Sequence, residues 1–273
     1  MSKFEVLCVT MHQNDFSKIE EMNIKSNVVF ANQADRHSYE ETCFYDNKYK
    51  AKMITTNLRG VGKNRNMALI YAESEICLLS DDDVKYNDNY QEIICSAFKK
   101  LPNADCIIFN LSTNSSERQQ YVNKKIKKCN IFTRMPYGAV RIAFKLESIK
   151  KTNIWFSTLF GGGCIFPSGE DSIFIKNILK NKLNVYKHTD FIGEIDMNVS
   201  SWYDGMNEKY YYGKGAFYSN LYKRSYFIWF IYISIMTRNK SKISFKQRLI
   251  WLKNGRNGYK KLLSYNEYIT RNL

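Results

Sequence analysis

The sequence predicts an α/β protein with a mostly parallel sheet and helices on both faces, followed by a basic helical extension. Short apolar runs at residues 4–11, 27–31, 76–79 and 104–110 alternate with stretches of helical length and pattern. Such alternation implies crossover connections and a parallel sheet. Polar clusters at residues 12–15, 32–35 and 80–83 stand directly after three of these runs, where ligands gather in sheets of this kind. The chain of 273 residues is 44% hydrophobic, 15% aromatic and 25% charged, a packed globular composition that excludes disorder. No repeat at solenoid or propeller periods is visible.

In chain order, residues 4–11 (Phe-Glu-Val-Leu-Cys-Val-Thr-Met) suit a buried strand, followed by a polar loop and a helix to about Met22. Residues 27–31 predict a second strand and 52–55 a short third. Gly60-Val-Gly-Lys-Asn-Arg-Asn66 leads into a helical pattern that continues through 67–72. The apolar run 76–79 is a strand that enters three consecutive aspartates, and a helix over 88–100 precedes a strand over 104–110. Residues 112–136 are polar and weakly periodic, a linking excursion. A strand over 138–146, a helix near 147–152, a Gly161-Gly-Gly163 turn, a helix to about Asn181 and a strand over 183–186 follow.

The 41 Lys+Arg against 26 Asp+Glu give a net charge of +15, which admits nucleic acid, an anionic membrane or phosphorylated ligands as partners. The surplus is local: thirteen of the cations lie between Lys209 and Asn266, a stretch with no acid. Within it, residues 226–236 are uncharged and strongly apolar. Eleven residues are too few to cross a bilayer, which takes about 20. Flanked by basic residues and followed by a basic helix candidate at 245–252, the segment fits either the membrane interface or a core helix with a solvated neighbour. The seven cysteines are odd in number and widely spaced, and read as buried, reduced thiols of a cytoplasmic protein. The N-terminal apolar stretch is too short for a signal peptide.

Three clusters carry chemistry. Asp81, Asp82 and Asp83 crowd carboxylates at a strand end, where repulsion calls for a cation; solvated turn residues are the alternative. An EF-hand loop fails, because Tyr86 stands where its glycine belongs. The 60–66 segment lacks the first glycine and the Ser/Thr of a phosphate loop, leaving a glycine-bearing helix entry with Lys63 and Arg65 in its first turn. Gly169-Glu-Asp171 puts two carboxylates at a helix start, either complementing the dipole or supplying a general base.

In their order and spacing these clusters resemble the family 2 glycosyltransferases, over residues 4–220. The match runs through the first strand with its Thr10–Asp15 loop, the Arg65-Asn66 pair, the Leu79-Ser-Asp-Asp-Asp-Val84 DxD element and Gly169-Glu-Asp171. Asn32-Gln33, residues 80–84 and Ser200-Ser-Trp-Tyr-Asp204 are most similar to bacterial enzymes of capsular or O-antigen polysaccharide assembly. The resemblance implies a GT-A fold, Rossmann-like, with a catalytic domain over 1–220 (nucleotide-sugar half 1–111, acceptor half 112–220) and an extension over 221–273. It implies inverting, EC 2.4-class hexosyl transfer from a nucleotide-diphospho-sugar, UDP-linked, to a hydroxyl of a lipid-linked surface polysaccharide. Asp83 and Asp81 would hold Mn²⁺ or Mg²⁺ on the diphosphate, with Asp81 also reaching the nucleotide and Asp82 beside them in the donor site. Thr10, Met11 and Asp35 would hold the base, and Lys63 and Arg65 would neighbour ribose and phosphates. Asp171 would take the acceptor proton, with Glu170 shaping the acceptor site. The expected location is the cytoplasm, peripheral on the inner face of the plasma membrane through the C-terminal segment.

Departures from the family pattern are Asn32-Gln-Ala-Asp35 in place of a more acidic turn, and Met197, Asn198 and Val199 where many relatives carry a histidine. His188 reads as structural and His12 as a pocket wall. Trp202, Tyr203 and the tyrosines at 210–212 read either as sugar platforms or, more commonly at such density, as core. Rival functions are a nucleotidyltransferase and a basic nucleic-acid-binding protein, although no known nucleic-acid module is visible.

Overall fold

The computed structural model describes residues 3–113, 121–133, 138–195 and 205–272. Among the described residues, ten strands follow the chain as β1 (Phe4–Met11), β2 (Asn27–Gln33), β3 (Ser38–Phe44), β4 (Tyr49–Thr56), β5 (Ile76–Asp81), β6 (Val84–Tyr86), β7 (Cys106–Thr113), β8 (Lys127–Lys128), β9 (Ile142–Lys145) and β10 (Val185–Ile195). They form one sheet in the order β3-β4-β2-β1-β5-β9-β7-β10-β6, with β8 on β10. Strands β4, β2, β1 and β5 run parallel, as do β7 and β10. Antiparallel pairing enters at the β3–β4 hairpin, at β9 between β5 and β7, and where β6 and β8 meet β10.

The central strands read as apolar runs because both of their faces are covered. Leu7, Val9, Val29 and Ala31 face one core, closed by Leu69 of α2 (Val61–Tyr71), Ile149 of α4 (Leu146–Lys151) and Phe174 of α5 (Glu170–Lys180). Val6, Cys8, Val28 and Phe30 face the other, closed by Ile19 of α1 (Lys18–Glu21) and by Ile94 and Phe98 of α3 (Tyr90–Lys100). Period-two alternation thus sends neighbouring residues of one strand into two different cores.

Several elements differ from the sequence reading. The predicted third strand is the longer β4, and its hairpin partner β3 was not foreseen, because its exposed and half-buried residues make no apolar run. The turn between them holds Tyr45, Asp46 and Asn47 at positive φ. The strand expected over 138–146 is divided among a 3₁₀ turn (Ala139–Arg141), β9 and the start of α4. Strand β10 runs well past 186, with register shifts against β7 between Lys187 and Phe191 and between Phe191 and Glu194. No disulfide joins the cysteines among the described residues; Cys8, Cys77, Cys106 and Cys129 are buried as expected, whereas Cys43 on edge strand β3 is exposed.

The chain divides into two compact units, Met1–Phe156 with Asp171–Val199, and Ser157–Glu170 with Ser200–Leu273. The second contains α6 (Glu208–Leu221), α7 (Tyr226–Met236), α8 (Phe245–Lys261) and α9 (Tyr265–Asn272), so α6 groups with the C-terminal helices. A capping box starts α8, with Ser244 and Gln247 satisfying each other's backbone N–H. Helices α6 and α8 touch through glycines: a Cβ on Gly215 would lie 2.1 Å from the Leu252 carbonyl oxygen, and one on Gly255 1.9 Å from that of Tyr212. Tyr211 and Tyr212 are buried there, their hydroxyls donating to Thr237 Oγ1 and the Leu263 carbonyl at 2.8 Å. These two tyrosines are core, and Tyr210 is half-buried. The other proposed platform, Trp202 and Tyr203, lies outside the described residues, as do Ser200, Asp204 and Met197–Val199.

The crossing yields a stability prediction. Gly255→Ala drives backbone against backbone and lowers unfolding free energy by about 1–3 kcal/mol or more, read by urea denaturation. An unchanged midpoint would contradict the close crossing.

Candidate functional site

Because β1, β2 and β5 are parallel neighbours, their carboxyl ends lie along one edge of the sheet. Register pairs Thr10 with Asn32, Met11 with Gln33 and Val9 with Asp81. The aspartates therefore emerge beside the first loop. Ser80 pins their turn: its Oγ accepts from Tyr86 Oη of β6 at 2.6 Å and donates to the Asp81 carbonyl at 2.9 Å.

The three carboxylates have different surroundings. Asp81 Oδ1 accepts from Arg65 Nη2 at 2.8 Å, the guanidinium being 4% and the carboxylate 39% exposed. Asp82 Oδ2 accepts from the buried Thr10 Oγ1 at 2.5 Å. Asp83 is exposed. Beneath them lies Cys8, whose thiol pKa is pushed well up, first by burial and then by the three aspartates, so it adds no further negative charge.

Gly60 opens α2 at φ 114°, a conformation suited to glycine, and donates its N–H to Gln33 Oε1 at 3.0 Å. That bond ties the helix entry to the end of β2. Asn32 does the same for the first loop: its side chain accepts from Gln13 N at 3.0 Å and donates to Gln13 O at 2.9 Å and Thr55 Oγ1 at 3.1 Å. Both residues act as loop ties, a role the sequence reading did not give them. From α2, Arg65 points inward while Lys63 is exposed. Met11 is exposed, and the exposed Asp35 pairs with Arg59, a residue the sequence reading passed over.

A second chain of contacts runs from Arg65 toward α5. Its guanidinium carbon lies 5.7 Å from the centre of the Phe156 ring, which stacks on Phe174 at 4.0 Å and 9°. Neighbouring Asn66 grips the Phe156 backbone twice, donating to its carbonyl at 3.0 Å and accepting its N–H at 2.8 Å. Phe174 lies one turn after Asp171, so the carboxylate group and the first turn of α5 are braced by one packed assembly. Asp171 Oδ1 accepts from Ser172 N at 2.6 Å, and Glu170 Oε2 from Gly169 N at 3.1 Å; both acids are half-buried. Gly169, at φ 114°, has no room for a side chain, since a Cβ would fall 2.5 Å from Phe217.

The carboxylate oxygens here are hard donors of the kind Mg²⁺ and Mn²⁺ take. Among the described residues no three His, Cys, Asp or Glu side chains form a metal cage. The donor set fits an ion held by one or two carboxylates that completes its shell with diphosphate oxygens and water. His188 is buried in β10 against Phe109, its Nδ1 accepting from Asp190 N at 3.4 Å. His12 is exposed in the first loop at φ 57°.

No protein-family model matches the chain, and no curated protein matches it in sequence. Its fold is similar to solved structures of S. aureus TarS. TarS 1-349 in complex with UDP-GlcNAc is 17% identical with a TM-score of 0.56, over 97% of this chain and 77% of that one. Its complex with UDP is 16% identical with a TM-score of 0.55, over 99% and 75%. Against the longer TarS structure the coverage is 97% of this chain and 44% of the other, at 15% identity and a TM-score of 0.56. The likeness shows the fold, an α/β sheet protein of the GT-A type with helices on both faces.

The unequal surroundings of the aspartates predict unequal stability effects. Asp81→Asn weakens the ion pair of a buried guanidinium and costs about 1–3 kcal/mol, tempered by the partial exposure of Asp81. Asp83→Asn removes a charge at an exposed position, where water screens its interactions, and costs less than Asp81→Asn. Urea midpoints of the two variants, compared with wild type, check the order.

Burial holds His188 below the ordinary imidazole value of 6.5, against the opposing pull of Asp190. The unfolded chain therefore takes up this proton first, and His188's contribution to stability is lost as pH falls from 6.5 toward the lowered folded value. His188→Gln should flatten the acid limb of a stability–pH profile; an unaltered limb would refute this.

Proposed function

We propose that this chain is a glycosyltransferase that moves a sugar from a nucleotide-diphospho-sugar, UDP-linked, to a hydroxyl of a lipid-linked surface polysaccharide of the capsular or O-antigen kind. The observation that carries the reading is the aspartate cluster at the carboxyl edge of the parallel strands, with Asp81 held by Arg65 and Asp82 by Thr10. A fold shared with a protein solved in complex with UDP-GlcNAc supports it.

In this reading the acceptor oxygen forms a bond to the anomeric carbon as the bond from that carbon to the diphosphate oxygen breaks on the opposite face, inverting the centre. Asp171 accepts the hydroxyl proton. Its place in the first turn of α5 favours the ionised carboxylate, so it works by position more than by basicity. Glu170 shapes the acceptor side. Asp83 and Asp81 would hold Mn²⁺ or Mg²⁺, which when bound neutralises charge on the departing diphosphate. Lys63 adds positive charge toward the phosphates from the first turn of α2, and the Thr10–Met11 backbone and Asp35 flank the base. Arg65 serves the donor site through Asp81, fixing the carboxylate's orientation.

Sugar transfer or donor hydrolysis, followed as UDP release, tests the assignment. Asp83→Asn should lower turnover by at least about 100-fold while the protein stays folded. Asp171→Asn should lower turnover by about 10²–10⁴-fold with donor affinity kept within a few-fold. Full activity in the Asp83 variant would reject the metal assignment, and a loss confined to donor affinity in the Asp171 variant would reject the base. Release of pyrophosphate from a nucleoside triphosphate in place of UDP release would identify a nucleotidyltransferase.

A further inference from the structure

The 11 residues of α7, Tyr-Phe-Ile-Trp-Phe-Ile-Tyr-Ile-Ser-Ile-Met, carry no charge, and a helix apolar on every side needs cover on every side. The second unit supplies cover on one side. Phe230 and Ser234 are buried, and Trp229 stacks on Tyr222 at 4.4 Å. The far end is fixed by Arg248 of α8, which is 4% exposed and donates to the carbonyls of Ser234 and Ile243 at 2.7 Å. Tyr226, at the near end, lies under the Arg256 guanidinium at 4.3 Å.

The other side is bare. Phe227, Ile228, Ile231, Tyr232, Ile235 and Met236 are each 41% to 55% exposed. Their spacing is i, i+1, i+4, i+5, i+8, i+9, a continuous ridge along the helix. Exposed cations bracket it: Lys223 and Arg224 before the helix, and Arg238, Lys240, Lys242 and Lys246 after it. No acid lies between Glu208 and Glu267.

We propose that this ridge seats the second unit on an anionic lipid bilayer, with α7 lying in the interface plane and its bracketing cations on the headgroups. Apolar burial plus a basic patch are the two signals that stable peripheral attachment requires. A helix of 11 residues is only about 16 Å long against about 30 Å of hydrocarbon, so it lies in the surface, and no described helix is long and apolar enough to cross. Charge argues against a second copy as the occupant: a two-fold contact would set the same cations against themselves. An anionic bilayer answers both the ridge and its flanks.

Vesicle co-sedimentation of the full chain tests this, using phosphatidylcholine alone and phosphatidylcholine mixed with phosphatidylglycerol. No sugar donor is present, so the result stands or falls apart from the catalytic reading. Binding should favour the phosphatidylglycerol vesicles and weaken as salt rises. Ile231→Glu with Ile235→Glu should cut the affinity by at least about tenfold with an unchanged melting temperature. Lys240→Gln and Lys242→Gln should cost about fivefold each at low salt. Absence of binding to either vesicle, equal binding to both, or a wild-type dimer in sedimentation that the isoleucine variants dissolve would overturn the proposal.

Discussion

A buried guanidinium cannot stand without a counter-charge, and that constraint organises the edge of this sheet. Arg65 is almost wholly enclosed, where removing an ion from water costs several kcal/mol unless a partner compensates. Asp81 is one such partner. The pair fixes α2 against the end of β5, and the same guanidinium lies against Phe156, which Asn66 and Phe174 hold from two further directions. One ion pair and one stacked ring pair therefore set the orientation of the acidic turn relative to the start of α5.

Three adjacent carboxylates would repel one another if their surroundings were alike. Here the surroundings differ: Arg65 donates to the half-buried Asp81, Thr10 donates to the half-buried Asp82, and Asp83 is the most exposed of the three. The arrangement divides labour under the proposed reading. Asp82 is tied to Thr10, Asp81 is oriented by Arg65, and Asp81 together with the exposed Asp83 would hold the ion. Loop ties from Asn32 and Gln33 support the same edge, so its geometry rests on neutral hydrogen bonds as well as on charge.

Much of this was legible in the sequence, for definite reasons. Strands β1, β2, β5 and β7 announced themselves because doubly covered strands are nearly continuous apolar runs. Strand β3 did not, since Ser-Tyr-Glu-Glu-Thr-Cys-Phe on an exposed edge has no such run. The aspartates and Arg65 stood out by type and spacing. Which way Arg65 points was not legible, because Lys-Asn-Arg-Asn opens α2 with four consecutive polar residues, and the burial of Asn64 and Arg65 with Lys63 exposed depends on contacts far along the chain, such as that with Asp81. Asn32 and Gln33 were noticed, yet their work as ties depends on partners in other loops. In the second unit, the helix at 226–236 is core on one side only: Phe230 and Ser234 are buried while the ridge from Phe227 to Met236 is exposed, a split by face that composition does not reveal.

The central claim is that Asp83 takes part in gripping a divalent ion that draws a nucleoside diphosphate to this edge. Calorimetric titration of UDP into wild type and Asp83→Asn, each with and without Mn²⁺, addresses it most directly. The account predicts that Mn²⁺ tightens UDP binding to the wild type by at least about tenfold, a gain of about 1.4 kcal/mol, and that the variant keeps the metal-free affinity but loses the gain. An equal Mn²⁺-dependent gain in both proteins, or UDP binding indifferent to the metal in the wild type, would contradict it.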